Sequence, residues 1–439
     1  MPTADPAPGS AAGRDEVSAP DVPPDPQDAL ATTGGRIGLI LSGYVLTGNA
    51  IAASGFGFLF WVVAAKRYAA VDVGLGSAVV SAVMVVSGIG AVGLASALPR
   101  FVPVTPSWVS LVLRGYAVAA GATLALALAA CLVLGSVTDE LSRLLDPGWL
   151  VLFCVAAVAW TLFALQDYVL IARRRPVLMA GENLVVALAR IALLFVPAFA
   201  DDAAGLLVAW LLPTVVAVVA INHTVLRGGE DTAGGAPPDY PVIRRYAAVA
   251  TIGTTASVLA VSLMPLLVTA IEGAEANARF FLPWSVTVGL QAVAAGMASP
   301  LLPAIAGGHG REREATLRVL WHTCAVTGAL AVPIAILGPW ALGLLGPDYE
   351  VDEALLLLLL AGSLLASATF VLLTRLRAHS RVAQVAVVQW VITTILVGVS
   401  VAFLAPAGVV AVGWAFLAAQ IAGLLVALRD QRLRGPAAS

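Results

Sequence analysis

"GLASALPRFVPV", residues 93–104, is the stretch on which the reading of this chain turns. Small residues and leucines run out into Pro99, Arg100, Phe101, Val102 and Pro103, so a long apolar segment ends on a single arginine. A near copy, "GMASPLLPAIA", begins at Gly296, 203 residues after Gly93. The same helix-end pattern at that separation in a 439-residue chain points to two halves of similar length. The surroundings of both copies are apolar, as is the chain: 60% of residues are hydrophobic and 11% charged, with a mean hydropathy of +0.95. A water-soluble domain of this size needs more charge to cover its surface, so the solvent for most of this surface is a bilayer.

A spanning helix needs about 20 mostly apolar residues. Dividing the chain at charge clusters, Pro/Gly turns and polar loops predicts twelve, near 38–64, 75–99, 110–135, 149–171, 177–199, 203–225, 245–271, 280–306, 317–344, 353–375, 382–405 and 408–428. The divisions with least to mark them are Asp201-Asp202 inside 177–225 and "APAGVV" inside 382–428. Arginine then sets orientation. The N-terminus, every second loop and the C-terminus hold 19 basic residues, among them Arg100, Arg114, Arg173, Arg244 and Arg377. The opposite loops hold four, Lys66, Arg67, Arg143 and Arg279, and Arg190 stands alone inside a helix. That bias predicts a multi-pass protein of the cytoplasmic membrane with both termini in the cytoplasm. The outer loops are too short for a folded domain, "GPDYEVDE" at 346–353 being typical.

Residues 1–35 are rich in Pro, Ala and Asp without a hydrophobic run and read as a disordered cytoplasmic tail. The stretch lacks a basic start leading into a short apolar run and is not read as a signal peptide. The segment 226–244, with Gly, Pro and Asp, reads as a flexible cytoplasmic linker between two six-helix lobes, 36–225 and 245–430, with 431–439 as a second tail. Six spans per lobe return the chain to the same side, so the lobes are parallel repeats about an axis along the membrane normal. Cys131, Cys154 and Cys324 lie in apolar runs with no metal-ligand spacing and read as small buried hydrophobes.

A family resemblance comes into view here. "GFGFLFWVVAAKRYAAVDVGLGSA" (55–78), "GLASALPRFVP", "LQDYVLIARRRP" and "ENLVVALARIALL" together resemble the multidrug/oligosaccharidyl-lipid/polysaccharide (MOP) exporter superfamily, in its polysaccharide-transporting, Wzx-like flippase branch. The resemblance spans 36–430. It implies an all-α polytopic membrane protein, with about 12 transmembrane helices in two parallel-repeat six-helix bundles as in MOP and MATE proteins, and export of a lipid-linked saccharide.

Charge inside a membrane helix is costly and marks candidate sites. Arg190 sits mid-way along the fifth predicted helix. Asn183 is seven residues earlier and lies within about 20° of it on the same face. Glu182 lies about 12 Å away along the axis. Asp167, near the end of the fourth helix, reaches the depth of Glu182 across the short "ARRRP" turn. These four read either as lining for a substrate cavity or as an ion-pair network joining two helices. Arg100 reads as an interfacial anchor or as an attractor of an anionic head group at the cavity mouth. Asn49 shares a stripe with Ser42 and Ala53, and Thr251, Thr255 and Ser262 form another; each stripe lines the cleft or glues helices together. The counterpart of "ENLVVALAR" is "QVAVVQWVITT" (384–394), with Gln384 and Gln389 but no charge, which places intramembrane charge in the first lobe. Trp61, Trp149 and Trp340 fit an interfacial belt.

The leading functional expectation is a flippase for a polyprenyl-diphosphate-linked oligosaccharide of surface polysaccharide synthesis, working by alternating access. The expected partners are that lipid-linked saccharide and the bilayer, with a coupling proton or Na+ as a further candidate. The alternative is a MATE-type cation-coupled drug or small-molecule antiporter. Such relatives commonly carry a membrane carboxylate in the first helix or second lobe, where this chain has Asn49 and no acid in the cores of the seventh and tenth helices. A membrane enzyme is the third class, disfavoured by the short outer loops. No cofactor and no metal site is expected, and no phosphate-binding glycine loop is present. Basic residues spread over alternate loops give nucleic acid no patch to bind.

Overall fold

A computed structural model of the chain describes residues 33–199, 202–227, 239–299, 301, 305, 312–350, 352–379 and 381–433. Most of the expected tail 1–35, the middle of the linker 226–244 and the end of the tail 431–439 lie outside the described residues. The chain divides into two compact units, Met1–Gly43 and Tyr44–Ser439. The first contributes the opening turns of helix α1, and everything below concerns the second.

Among the described residues there are twelve long helices and no strand. They are α1 (Thr33–Arg67), α2 (Ala70–Gly90), α4 (Trp108–Val137), α5 (Pro147–Ala172), α6 (Pro176–Leu193), α7 (Ala203–Arg227), α8 (Tyr240–Glu272), α9 (Ala274–Ala298), α10 (Glu312–Gly343), α11 (Glu353–Ala378), α12 (Val382–Ala407) and α13 (Val410–Leu433), with a short α3 (Leu94–Phe101) after α2. Eleven, α2 and α4 to α13, are long and apolar enough to cross a membrane. This is an all-α, multi-pass membrane protein. Helices are the form such runs must take in lipid, because each satisfies its own backbone groups.

Local chemistry sets the helix ends. Pro147, Pro176 and Pro241 stand in first turns, where their missing N–H costs nothing. Asp239 and Asp352 cap α8 and α11 by accepting from Val242 N at 3.2 Å and Ala354 N at 2.8 Å. Gly408, at φ +64°, divides α12 from α13 where "APAGVV" suggests a boundary. Helix α6 stops at Leu193, short of the expected 199, because Pro197 follows and disfavours helix in the residue before it.

Helix starts recur in the second half of the chain at offsets of 204 to 207 residues: Ala70 and Ala274, Trp108 and Glu312, Pro147 and Glu353, Pro176 and Val382, Ala203 and Val410. At the start of α9, Asn277 Nδ2 donates to Gly74 O at 2.8 Å and to Ser77 Oγ at 2.9 Å on α2. Asn277 and Gly74 are 203 residues apart, close to the offset at which the helix starts recur.

One expected helix is broken. The second span, 75–99, is interrupted at Ala91–Gly93, where Val92 has φ +43° and Gly93 φ +70°. "GLASAL" therefore opens α3 instead of closing the helix before it, whereas Gly296 and Ala298 stand in the last turn of α9. The cause is contact with α8: a Cβ on Gly93 would lie 2.0 Å from Ala247 O, so only glycine allows the approach.

The arginine-rich connections gather one set of helix ends. At the other end the packing is tight. Gly74 lies against Ala274, where a Cβ would come within 1.8 Å of the carbonyl oxygen. Trp61 packs edge-on to Phe281 with ring centroids 4.8 Å apart, and Lys66 donates to the Leu344 carbonyl. Trp61 is thus a buried core residue and not a belt tryptophan, while Trp340 is 67% exposed.

Candidate functional site

Toward the arginine-rich end, α2, the α2–α3 break, α5, α8, α11 and α12 diverge around a central cavity of about 670 Å³. Its walls carry Ser87, Ser96, Thr161, Tyr168, Tyr246, Thr254, Ser257, Ser262, Gln389 and Arg377 among small and apolar residues. A narrower chamber of about 190 Å³ shares Ser257, Arg377 and Gln389 and extends between α8, α9, α11, α12 and α13, where it gains Gln291, Thr369 and Gln420. No carboxylate is among the residues lining either space.

Arg377 is the cation of this cavity. Arg375 and Arg377 are two positions apart in a helix that runs on to Ala378, so they point to nearly opposite sides. Arg375 turns to α10 and pairs with Glu312, Nε to Oε1 at 2.6 Å, and His379 approaches the other oxygen of Glu312 at 3.3 Å. Arg377 turns to the cavity and forms no ion pair and no hydrogen bond with the described residues. From sequence it counts only as a loop marker of topology. Its sign as a site residue is its spacing from Arg375 on a helix longer than the apolar run suggests. Arg377 is the penultimate residue of α11 and Glu312 the first of α10, so both stand at helix ends.

The sequence candidates separate into three places. Arg190 is half-buried within the first half. Its Nε donates to Trp210 O at 2.9 Å and its Nη2 to Thr214 Oγ1 at 2.7 Å. Its Cζ lies 4.5 Å from the centroid of the Trp210 ring and 5.3 Å from that of Trp160. Trp160 lines the central cavity; Arg190 is not among the lining residues. It pairs with neither Asp167 nor Glu182, so the expected ion-pair network does not form.

Asp167, Glu182 and Asn183 form a second group, joined by Gln166 and Asn222. Asn183 Nδ2 donates to Asp167 Oδ2 at 3.1 Å. The Gln166 amide donates to Glu182 Oε1, and Asn222 donates to Gln166 Oε1. Glu182 is only 8% exposed, and Glu182 Oε2, Asp167 Oδ1 and the Tyr116 hydroxyl are buried without a partner. Tyr168, Leu165, Ala164 and Thr161 turn to the cavity from the other side of α5. The acidic group thus does not line the central cavity, contrary to its expected place there.

Arg100 is the third. It is exposed, with Cζ 4.8 Å from the ring centroid of Tyr246, whose ring lines the cavity, so it stands at the rim. Asn49 is half-buried on α1 and absent from the cavity lining. The Ser42 side chain lies outside the described residues. Of the α8 stripe, Ser262 lines the cavity and Thr251 faces outward from it, while Thr255 lines neither space. Gln389 lines both chambers, whereas Gln384 lines neither. Among the described residues, no cluster of His, Cys, Asp or Glu could hold a metal ion.

No protein-family model and no curated protein matches the sequence. Solved structures do match. The inward closed conformation of the lipid II flippase MurJ superposes with a TM-score of 0.70 at 12% identity, over 89% of this chain and 87% of that chain. A MOP superfamily transporter from Pyrococcus furiosus, whose binding pocket of reverse polarity is said to suggest a different function, gives 0.65 at 14% identity over 90% and 95%. A MATE structure in complex with MaL6 gives 0.64 at 13% identity over 89% and 95%. The chain has the twelve-helix fold of the MOP superfamily transporters.

Proposed function

We propose that this chain is a flippase that carries the anionic head of a polyprenyl-diphosphate-linked oligosaccharide across the cytoplasmic membrane by alternating access between two lobes, 36–225 and 245–430. In this reading both termini and the arginine-rich connections are cytoplasmic, and the central cavity admits the head from that side. Arg377 carries the reading: an unpaired guanidinium in a cavity whose lining has no carboxylate. A diphosphate matches it in charge and in the geometry of paired hydrogen bonds. Gln389, Gln291 and Gln420 offer amides to sugar hydroxyls. A cationic drug would meet repulsion there. The fold shared with a lipid II flippase supports the same substrate class.

Lipid analysis of cells lacking the protein tests this. Lipid-linked oligosaccharide should accumulate. Arg377→Ala, inserted at normal abundance, should fail to clear it, and Arg377→Lys should clear it in part. Absence of accumulation, or full clearance by Arg377→Ala, would reject the reading.

One observation favours a second reading, a cation-coupled antiporter: the two buried carboxylates of Asp167 and Glu182, each with an unpartnered oxygen and no arginine against them. A buried carboxylate without a cationic neighbour is stabilised by binding a proton or a metal cation. In the flippase reading the same pair supplies the coupling. Transport driven by an imposed proton or Na+ gradient, and lost in the Asp167→Asn, Glu182→Gln variant, would establish coupling. Transport of a cationic drug by the same preparation would favour the antiporter.

A further inference from the structure

A second large space lies outside the central cavity. A lateral cleft of about 1020 Å³ runs between α4 and α8 and ends at the α2–α3 break, walled by Leu94, Leu111, Val118, Ile243 and Ala248. It opens on an apolar outer surface, where Leu113 and Val118 of α4 and Val242 and Ile252 of α8 are all more than half exposed. From the fifth residue of α8 and the seventh of α4, Arg244 and Arg114 line it from opposite walls. These positions lie roughly 6–10 Å from the helix starts, the depth of a lipid head group. The Arg114 guanidinium stacks 4.9 Å from the Tyr240 ring centroid, which holds it at the cleft. Neither arginine forms an ion pair with the described residues, and no acid lines the space.

We propose that this cleft holds the hydrocarbon tail of a polyprenyl-diphosphate lipid, with its phosphates between Arg114 and Arg244, before the head passes to the central cavity. The proposal rests on the flippase reading and adds where the lipid docks. Two features single out this cleft. A second apolar cleft of about 1010 Å³, between α6 and α7, has no arginine and carries Glu182. It offers a tail the same volume and a phosphate nothing. Only the α4–α8 cleft shares a wall with the central cavity. Helix α8 presents Tyr246, Ala250 and Thr254 to the cavity and Ala247, Ala248 and Thr251 to the cleft. Gly93 seals the seam against Ala247 O. A lipid in the cleft is therefore one helix away from Arg377, and opening that seam would let the head cross while the tail stays in hydrocarbon.

The test is photolabelling of the whole protein in lipid nanodiscs, using undecaprenyl diphosphate with a tail diazirine and a matching diazirine phosphatidylcholine. Labelled peptides are mapped by mass spectrometry. The diphosphate probe should label 115–118 and 247–251 about thirtyfold over 185–189 and 212–216 in the other cleft, since two juxtamembrane arginines each contribute about 1 kcal/mol. Phosphatidylcholine should label both clefts equally. The Arg114→Gln, Arg244→Gln variant should lose the preference, and the Arg114→Lys, Arg244→Lys variant should keep much of it. Equal labelling of the clefts by the diphosphate probe, or a preference unchanged in the glutamine variant, would overturn the proposal. Arg377→Ala should leave the labelling intact while blocking transport. Cleft labelling without lipid accumulation in deleted cells would therefore reject transport and leave the docking site standing.

Discussion

Arg190, expected mid-way along its helix, stands in the last turn of α6 because the helix ends at Leu193, and it shows what an arginine in an apolar helix does when no carboxylate is within reach. Its fork is spent on the Trp210 carbonyl and the Thr214 hydroxyl, and its face on two indoles. Arg190→Ala should remove about 2 kcal/mol of stability, the sum of two charge-assisted hydrogen bonds and a cation–π contact less the cost of burying the charge. Arg190→Lys should recover less than half of that, because one ammonium cannot hold both oxygens and cover the rings. Thermal melting in detergent would check both, with a shift of a few degrees for the alanine variant. A stable, fully melting-resistant Arg190→Ala protein would mean these contacts carry no net weight. The sequence makes Arg190 conspicuous but does not reveal its partners. The seven-residue spacing from Asn183 is correct helix geometry, yet Asn183 finds Asp167 on α5 while Arg190 finds α7. A backbone carbonyl and an indole face are partners that no residue pattern advertises. Arg377 was hidden for the opposite reason, since it sits in a basic run that orientation alone explains.

At the scale of elements, the twelve long helices were legible because lipid leaves an apolar run of that length little else to be. The break after α2 was not. The residues from 75 to 98 contain no proline, and Gly93 is one of several glycines in the run. Its special position comes from α8, which no local signal reports. Gly93→Ala should therefore cost about 1–3 kcal/mol, since positive φ and a contact of 2.0 Å with Ala247 O must both be relieved. Gly115→Ala is the matched control in α4, where a new Cβ meets only Leu94 side-chain atoms at 3.6 Å. The control should be neutral or slightly stabilising, as alanine favours helix over glycine. Equal melting temperatures for the two variants would mean that the seam between α3 and α8 is loose.

At the scale of the whole molecule, the repeat seen in "GLASAL" and "GMASPL" has its counterpart where α2 meets α9, and that contact lies at the end away from the cavity. Orientation is tested first. In the proposed topology a cysteine at Asp348 should react with an impermeant maleimide added outside, and one at Arg174 should not; the reverse would invert the molecule. The contact itself makes a stricter test. Asn277 Nδ2 and Ser77 Oγ are 2.9 Å apart, so thiols at both positions fall within reach of a short bis-methanethiosulfonate bridge. An alternating-access cycle requires α2 and α9 to part there when the cavity opens to the other side. The Ser77→Cys, Asn277→Cys protein should therefore transport before bridging, stop once bridged, and resume after reduction, while each single variant ignores the reagent. The bridge should leave binding to the arginine-lined cavity intact, because the cavity lies on the unbridged side. Continued transport by the bridged protein would show that this end stays closed throughout the cycle, and that the head group crosses by another route.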